Sequence, residues 1–307
     1  MLLPKRLRSS YNQLMDTIVI KELTKIYQDG KKALDSISLS LPAGEIYGFL
    51  GPNGAGKTTT VKLACGMLLP SGGSCLITGA DPAREPHRVH ARCGVLTEHA
   101  QMYDQLTGLE NLLFYAALFG VPQDEARRRA QRWLAELALS DAGEKKLASY
   151  STGMRQKLSL ARVLIHEPEV LFLDEPTSGL DPESTQKVHN VIQSLARESG
   201  VTIFLCTHQL KYAQEICTRF GLLDNGRLLA DGTLKELRAR ISPGIRVSIQ
   251  TGAGTSEFSL SAREEIPALV SRLVSEGAQI YGVSATLPSL EDIYFKLTEE
   301  TAGEDRS

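Results

Sequence analysis

The sequence lacks any long apolar run, since no stretch approaches the ~18 residues needed to span a bilayer. It also lacks a C-x-x-C pair, and its five cysteines are scattered, which indicates free buried thiols of a cytosolic protein rather than a zinc site or disulfides. Neither sign of charge dominates, because 34 Lys and Arg stand against 36 Asp and Glu. No global basic field therefore argues for nucleic acid as a partner.

The length of 307 residues suffices for one large domain and a small one, and a hydrophobic content of 42% is typical of a globular protein. Residues 1–15 are polar and basic without the apolar core of a signal peptide, so a flexible tail is expected there. Contact of that tail with an anionic membrane surface is the less favoured alternative. A composition shift near residue 241 predicts a main domain over 16–240, a small α+β domain over 241–299 and a flexible tail over 300–307.

Residues 51–58 fit the phosphate-loop pattern G-x-x-x-x-G-K-[ST] without a mismatch. The preceding apolar run predicts a buried strand and the following residues predict a helix, which is the context that the motif requires. Backbone N–H groups of the loop and the helix N-terminus can then bind phosphate oxygens, with Lys57 on the outer phosphates and the Thr58 hydroxyl on Mg²⁺. An ordinary glycine-rich turn is disfavoured by Lys-Thr at this offset. The candidate binding residues are Gly51, Pro52, Asn53, Gly54, Ala55, Gly56, Lys57, Thr58 and Thr59.

A second chemical pattern is the apolar run 170–173 followed by Asp174 and Glu175. A continuous apolar run is typical of a buried parallel strand, and side chains at its carboxyl end face the ligand crevice of such sheets. Asp174 can hold Mg²⁺, and Glu175 can orient a water or accept its proton. An acidic strand end is common by itself, but together with a phosphate loop it becomes specific.

Two further features have a structural and a functional interpretation. Tyr27, ahead of the phosphate loop, can stack on a nucleobase, although its chemistry alone favours simple packing between strands. The basic run 127–129 can contact nucleic acid or lipid, but nearby Asp124 and Glu125 dilute its charge and favour a solvated helix face.

Residues 150–157, Tyr-Ser-Thr-Gly-Met-Arg-Gln-Lys, precede a predicted helix and resemble the signature sequence of ABC-type ATPases, in the form seen in exporters of the ABC-2 kind. The sequence Ser-Gly-Leu-Asp at 178–181 resembles the D-loop of that family, His208 stands at the position of its switch histidine, and Tyr27 at that of its adenine-stacking aromatic. The resemblance covers about residues 17–235. It implies an α/β fold: a P-loop NTPase core with a parallel sheet, an antiparallel β subdomain and a helical insert at about 99–155. The small C-terminal α+β module would follow this core.

The resemblance also implies ATP and Mg²⁺ as cofactors and a head-to-tail dimer, with a copy of the same chain as the expected second ATPase subunit. Each ATP would lie between the phosphate loop of one subunit and the signature of the other, which adds Ser151, Gly153 and Asp181 to the ATP-binding candidates. A helix start at the signature makes a second anion site physically plausible. The catalytic candidates are Glu175, His208 and Glu98, and the metal-binding candidates are Thr58, Asp174 and Glu98.

Two departures from the family pattern stand out. Thr152 and Met154 replace signature residues, a variation found among exporters that leaves Ser151 and Gly153 intact. Glu98 stands where the family usually has the Q-loop glutamine, and its carboxylate can ligate Mg²⁺ while adding negative charge near the γ-phosphate.

The resemblance therefore predicts a cytoplasmic ATP-hydrolysing subunit of an exporter, peripheral at the inner face of the cell membrane through a separate membrane-spanning permease. Residues 98–113 would receive a helix of that permease, and no nucleic acid partner is expected. The ending at 288–294 is similar to that of ATPase subunits of drug, antibiotic, polysaccharide and ion exporters. An alternative is a non-transport ABC ATPase acting on a soluble macromolecular complex, disfavoured by the single cassette and the absence of sustained heptads. A purely ATP-binding regulator is disfavoured by the presence of both Glu175 and His208.

Overall fold

The computed structural model describes residues 16–97, 102–241 and 244–304. In these ranges no helix is both long enough and apolar enough to cross a membrane. The chain forms two compact units, and the break between them lies between Leu228 and Leu229.

The first unit holds most of the secondary structure. Its strands are β1 (Ile18–Ile26), β2 (Lys32–Leu41), β3 (Ile46–Leu50), β4 (Gly72–Ile77), β5 (Cys93–Leu96), β6 (Val170–Asp174), β7 (Thr202–Thr207) and β8 (Arg219–Asp224), and β9 (Arg227–Gly232) crosses the break. Its helices are α1 (Lys57–Ala64), α2 (Pro86–His90), α3 (Gly108–Leu118), α4 (Gln123–Glu136), α5 (Thr152–Leu164), α6 (Pro182–Ser199) and α7 (Leu210–Ile216).

A six-stranded sheet in the order β5-β6-β7-β3-β8-β9 forms the centre of this unit. The pairs from β5 through β8 are parallel. Every residue of β3 and β7 is buried, as expected for strands covered on both faces. The rings of Phe49 and Phe204 pack with centroids 5.0 Å apart on these two strands. The predicted parallel α/β sheet is therefore confirmed.

A second, antiparallel sheet in the order β2-β1-β4 packs into the same core. Along β2 buried and exposed residues alternate towards the strand end, so one face is apolar and the other faces solvent. All five cysteines of the chain are buried free thiols. Burial raises the pKa of Cys75 and of Cys93 to about 12, so both thiols stay protonated and unreactive.

Helices α3 and α4 occupy the predicted insert between β5 and β6. Helix α3 begins with a capping box in which the Thr107 hydroxyl accepts from Glu110 N–H and the Glu110 carboxylate accepts from Thr107 N–H. The Asn111 side chain, fully buried, donates to the carbonyls of Tyr103 and Thr107 and accepts from Tyr103 N–H. These bonds fix the conformation of the loop that precedes α3.

The basic run on α4 is less solvated than the sequence suggests. Arg129 is only 18% exposed, and its guanidinium contacts Glu125 at 2.7 Å and Glu167 at 3.2 Å. It also donates to the Ile165 carbonyl at 3.1 Å. Arg128 is 75% exposed and pairs with Glu125 as well. This part of the helix face is ion-paired, so it does not form a free basic patch.

The second unit is a small α+β module. Its elements after β9 are α8 (Leu234–Arg240), β10 (Ile245–Thr251), β11 (Gly254–Leu260), α9 (Ile266–Ser275), β12 (Ile280–Thr286) and α10 (Leu290–Glu304). The strands form an antiparallel sheet in the order β11-β10-β12, and its buried residues Val247 and Ile249 cluster with Leu269 of α9.

Helix α8 groups with this module, so the break comes earlier than the boundary predicted after residue 240. The reason is local: the Arg238 side chain donates to the Pro288 carbonyl at 2.7 Å, and Lys296 of α10 donates to the Ile241 carbonyl.

The flexible tail predicted from residue 300 is wrong for residues 300–304, which continue α10. The threonine hydroxyls of this last part of the helix bond within it: Thr298 donates to the Phe295 carbonyl at 2.8 Å and Thr301 to the Leu297 carbonyl at 2.9 Å. Helix-favouring Glu299 and Glu300 lie between them. Polar composition alone therefore misplaced the helix end. The remainder of that tail and the tail predicted over 1–15 lie outside the described residues.

Candidate functional site

The phosphate loop connects β3 to α1 and has the expected conformation. Gly54 and Gly56 adopt φ values of 85° and 115°, in the region that glycine enters without a steric cost. At Gly51 a Cβ atom would lie 2.1 Å from the Leu223 carbonyl oxygen, so only glycine fits against β8. The loop is thus shaped by its glycines to leave the N-terminus of α1 accessible to an anion.

The Lys57 side chain bonds to backbone carbonyls of the phosphate loop. Its Nζ donates to the Gly51 carbonyl at 2.6 Å and to the Pro52 carbonyl at 3.0 Å, and the residue is only 6% exposed. A buried ammonium requires such partners because desolvation of an unpaired charge is costly. The cation is therefore already held at the loop to which phosphate oxygens would bind.

The first residue of the acidic pair lies next to the loop, as the sequence predicts. The Thr58 hydroxyl donates to Asp174 Oδ2 at 3.1 Å. Strand register explains the proximity, because β7 lies between β3 and β6 and pairs Leu50 with Thr207 and Asp174 with Cys206. The result is a pair of hard oxygen donors at the carboxyl edge of the sheet, which is a donor set that Mg²⁺ prefers.

Glu175 and His208 meet at the same edge. Glu175 Oε1 lies 2.6 Å from His208 Nδ1 and accepts from His208 N–H at 2.9 Å. The Glu175 side chain is 13% exposed and the His208 side chain 54%. Glu175 has a positive φ of 47°, a strained backbone conformation for a residue with a side chain. The carboxylate is therefore sheltered while the imidazole faces solvent.

Two residues at this edge were missed by the sequence analysis. Thr207 donates its hydroxyl proton to Glu175 Oε2 at 2.8 Å, and Gln156 of α5 donates to the Glu175 carbonyl at 3.3 Å. The only signal for Thr207 was its place beside His208 at a strand end, and nothing marked Gln156 apart from the signature itself.

Tyr27 lies beside the first turn of α1, the helix that follows the phosphate loop. Its hydroxyl is 3.2 Å from Thr59 Oγ1, and Lys25 Nζ lies 5.5 Å from its ring centroid. The ring is half-buried, so it does not pack wholly inside the sheet. A half-buried ring beside Thr59 can offer a face to a planar base bound at the loop.

The signature residues begin α5. Ser151 is the N-cap, and its hydroxyl accepts from Met154 N–H at 3.2 Å. The helix starts at Thr152, earlier than the start predicted after the signature, so Gly153 lies in its first turn. A Cβ on Gly153 would make ordinary contact with Leu180, 3.4 Å away, so the signature lies against the D-loop of its own chain.

Asp181 of the D-loop is a helix cap. Its Oδ1 accepts from Ser184 N–H at 2.9 Å and its Oδ2 from the Ser184 hydroxyl at 2.8 Å. These bonds hold the pKa of Asp181 below its usual range. The carboxylate therefore has a structural role at the start of α6, and its predicted contact with ATP stays a prediction.

Glu98 lies outside the described residues. The last residue of β5, Leu96, pairs with Leu173, which directly precedes Asp174. The chain thus leaves the sheet at the edge that carries the acidic pair. The role of Glu98 stays a prediction from the sequence.

Comparisons with known proteins identify the family of this chain. The family model of ABC transporters matches residues 34–178. Daunorubicin resistance ATP-binding protein DrrA3 of Streptomyces coeruleorubidus is 36% identical over 94% of this chain and 96% of its own. Daunorubicin/doxorubicin resistance ATP-binding protein DrrA of Streptomyces peucetius is 34% identical over 93% of each chain.

Solved structures show the same fold. The cbiO1 protein of Clostridium perfringens, part of the ABC transporter complex cbiONQ, has 29% identity and a TM-score of 0.67 over 73% of this chain and 91% of its own. A dimeric ATP-binding cassette in a post-hydrolysis state with ADP and Pi has 25% identity and a TM-score of 0.64 over 71% of this chain and 98% of its own. The chain therefore belongs to the ABC transporter family, in which it is an ATP-binding subunit that hydrolyses ATP.

Proposed function

We propose that this subunit powers an exporter whose path across the membrane is supplied by a separate permease, and that the chain lies at the cytoplasmic face of that permease. The direction of transport, export, is supported by relatives named for drug resistance, such as DrrA3. It is also supported by a relative named as a fluoroquinolone export ATP-binding protein in Mycobacterium tuberculosis. The observation that carries the ATPase assignment is the meeting of Thr58 with Asp174 and of Glu175 with His208 at one sheet edge.

Glu175 is proposed as the general base. In hydrolysis the water oxygen forms a bond to the γ-phosphorus, the bond from that phosphorus to the bridging oxygen breaks, and ADP leaves with its electron pair. The water proton passes to the Glu175 carboxylate. His208, exposed and bonded to Glu175, is suited to contact the γ-phosphate and orient the water.

Mg²⁺ is proposed to bind at Thr58 and Asp174. Two oxygen ligands leave room for phosphate oxygens and waters, the arrangement that Mg²⁺ usually keeps. The ion would neutralise charge on the transferring phosphate, and Lys57 would add a second cation at the loop.

A second copy of the chain is proposed to complete each ATP site. Ser151 and the first-turn N–H groups of α5 form an anion site at a helix N-terminus. Gly153 lies against the D-loop, so both elements would contact the phosphates bound at the other copy. A dimer is the form of the related post-hydrolysis cassette.

The permease is proposed to contact an exposed apolar ledge, defined here as Tyr103, Phe114 and Leu118. Tyr103 is 51% exposed and Leu118 66% exposed, and the rings of Tyr103 and Phe114 meet at 4.9 Å. Phe114 and Leu118 lie four residues apart on α3 and thus on one face. The ledge begins within the segment 98–113 to which the sequence assigned this contact.

The test compares Leu118→Asp with Leu69→Asp, an equally exposed control on another surface. The tagged chain is isolated from membranes of its source cell after mild detergent extraction. We expect the parent and the Leu69 variant to purify with one polytopic membrane protein, and the Leu118 variant to lose it while keeping ATPase activity. Purification of the parent with ribosomes or another soluble complex, and without a membrane protein, would favour the non-transport alternative.

A further inference from the structure

Thr207 ends β7 and is 1% exposed. Its hydroxyl donates to Glu175 Oε2 at 2.8 Å and accepts from Gln209 N–H at 3.1 Å. A hydroxyl has one proton to give, so the proton of Thr207 is committed to the carboxylate. Thr207 directly precedes His208 at the end of β7, so this bond connects the strand that carries His208 to the side chain of Glu175.

The two oxygens of the Glu175 carboxylate accept different numbers of hydrogen bonds. Oε1 accepts from both the N–H and the Nδ1 of His208, which fills its two lone-pair positions. Among the described residues Oε2 accepts only from Thr207, which leaves its second acceptor position open. The direction of that open position follows the plane of the carboxylate group, and the Thr207 bond on Oε2 helps to hold this plane in one orientation.

We propose that Thr207 is a positioning residue for ATP hydrolysis, which orients Glu175 Oε2 towards the attacking water. This inference rests on the proposed role of Glu175 as the general base. Thr207 touches neither ATP nor water in this assignment and acts only through the carboxylate. Its effect therefore belongs to the chemical step and not to nucleotide binding.

Hydrogen bonds from neighbouring residues hold the backbone and the carboxylate of Glu175. The backbone of this residue is anchored, since its N–H donates to the Cys206 carbonyl at 3.0 Å and its carbonyl accepts from Gln156. The side chain beyond Cβ has no anchor of its own except Thr207 and His208 among the hydrogen bonds of the described residues. His208 would turn its ring to the γ-phosphate during the reaction, which leaves Thr207 and the His208 N–H to hold the carboxylate.

A purely structural role is the competing explanation. The Thr207 hydroxyl also accepts from Gln209 N–H just ahead of α7, and its methyl group is buried. Loss of either contact would destabilise this region of the fold. The experiment must therefore distinguish the effect of the Thr207 hydroxyl group from that of its methyl group. It must also distinguish a change in ATP turnover from a change in the stability of the fold.

The test uses Thr207→Val and Thr207→Ser. Valine keeps the shape and loses the hydroxyl, whereas serine keeps the hydroxyl and loses the methyl. We expect Val to lower kcat for Mg-ATP by about ten- to hundredfold, the range for one hydrogen bond to a charged group. The KM and the Kd for ATP should stay within about twofold. Serine should restore most of kcat despite its lower thermal stability. The reverse order, with Ser slower than Val, would overturn the proposal.

A double variant distinguishes this inference from the assignment of the base. In the Glu175→Gln background, Thr207→Val should change the residual turnover by less than about twofold, because coupled residues are not additive. A full additional loss there would show that Thr207 acts by another route. If Glu175→Gln itself hydrolyses ATP at the parent rate, the proposed base is wrong. If Glu175→Gln is inactive and Thr207→Val has the parent kcat, only the Thr207 inference fails.

Discussion

Gln156 Nε2 donates to the carbonyl oxygens of Glu175, at 3.3 Å, and of Pro176, at 3.1 Å. Gln156 lies on α5, whose N-cap is the signature residue Ser151. The turn that carries Glu175, the proposed general base, is therefore hydrogen-bonded to the helix that is proposed to bind the phosphates of the other copy's ATP. A shift of that helix on nucleotide binding would be passed to Glu175, which serves the chain's own ATP.

Replacement of the proposed base tests the chemistry first. Glu175→Gln should lower ATP turnover by about 100-fold or more, because general base catalysis contributes at least that much. ATP affinity should be retained, since Lys57 and the loop are untouched. Steady-state phosphate release and nucleotide titration measure the two quantities. Glu183→Gln, on the exposed start of α6, is the control and should behave as the parent. Hydrolysis at the parent rate in the Glu175 variant would refute the assignment.

Dimer formation should depend on Gly153. We expect Glu175→Gln with Mg-ATP to sediment as a dimer and to dissociate without nucleotide. Adding Gly153→Asp should keep it monomeric, because a carboxylate in the first turn of α5 repels phosphate, while the nearest contact leaves room for a Cβ. Ser194→Asp, on an exposed position of α6, is the matched control. A dimer of the Gly153 variant with the parent affinity would contradict the assigned role of the signature.

Nucleotide binding should not need the second unit beyond β9. All described ATP-site candidates lie before the break at Leu228, and a chain ending after Gly232 retains the last strand of the central sheet. We expect this truncated chain to bind ATP with an affinity within a few-fold of the full chain. Circular dichroism confirms folding before titration. A folded truncation without ATP binding would show that the module contributes to the site.

Acid stability should depend on His166. Burial lowers the pKa of His166 from its ordinary value of 6.5 to about 4. Below pH 6.5 the unfolded chain binds a proton that the folded chain rejects, so the free energy of unfolding falls as the pH drops from 6.5 to 4. The loss is at most about 3 kcal/mol for this one group.

His166→Leu should remove this part of the pH dependence, although it also loses the hydrogen bond to the Cys93 carbonyl and the stacking on Phe119. The comparison is therefore the slope of stability against pH from urea titrations, and not stability at one pH. His87→Gln, on an exposed position of α2, is the control for the replacement of a histidine. An unchanged slope in the His166 variant would show that this histidine does not cause the pH dependence of the free energy of unfolding.

From the sequence alone, we expect Glu98 to make ATP binding unusually dependent on Mg²⁺. A carboxylate at the Q-loop position should bind Mg²⁺ more tightly and repel the γ-phosphate when the metal is absent. Glu98→Gln should therefore improve ATP binding in EDTA and reduce the gain from Mg²⁺. The measurement is the ratio of ATP affinities with Mg²⁺ and with EDTA. The same ratio in parent and variant would mean that Glu98 faces solvent.

The parts of the site that the sequence could predict are those set by local spacing. The phosphate loop and the acidic pair each require only a strand, a turn and a fixed offset, and the structure brings Thr58 and Asp174 together. Thr207 and Gln156 could not be predicted in this way, because their partners depend on which strand ends and helices meet in the fold. Composition also failed to predict the end of α10, which continues through a polar stretch that contains the helix-favouring residues Glu299 and Glu300.

The bonds from Lys57 to the Gly51 and Pro52 carbonyls have a consequence for measured affinity. An ammonium group has three N–H donors, and the two carbonyls take two of them, so the third can be donated to a phosphate oxygen. ATP would therefore bind to a cation whose side chain the loop already orders, and little binding free energy would be needed to immobilise that side chain. The same bonds let the loop keep its shape between turnovers, when product has left and the next ATP has not arrived.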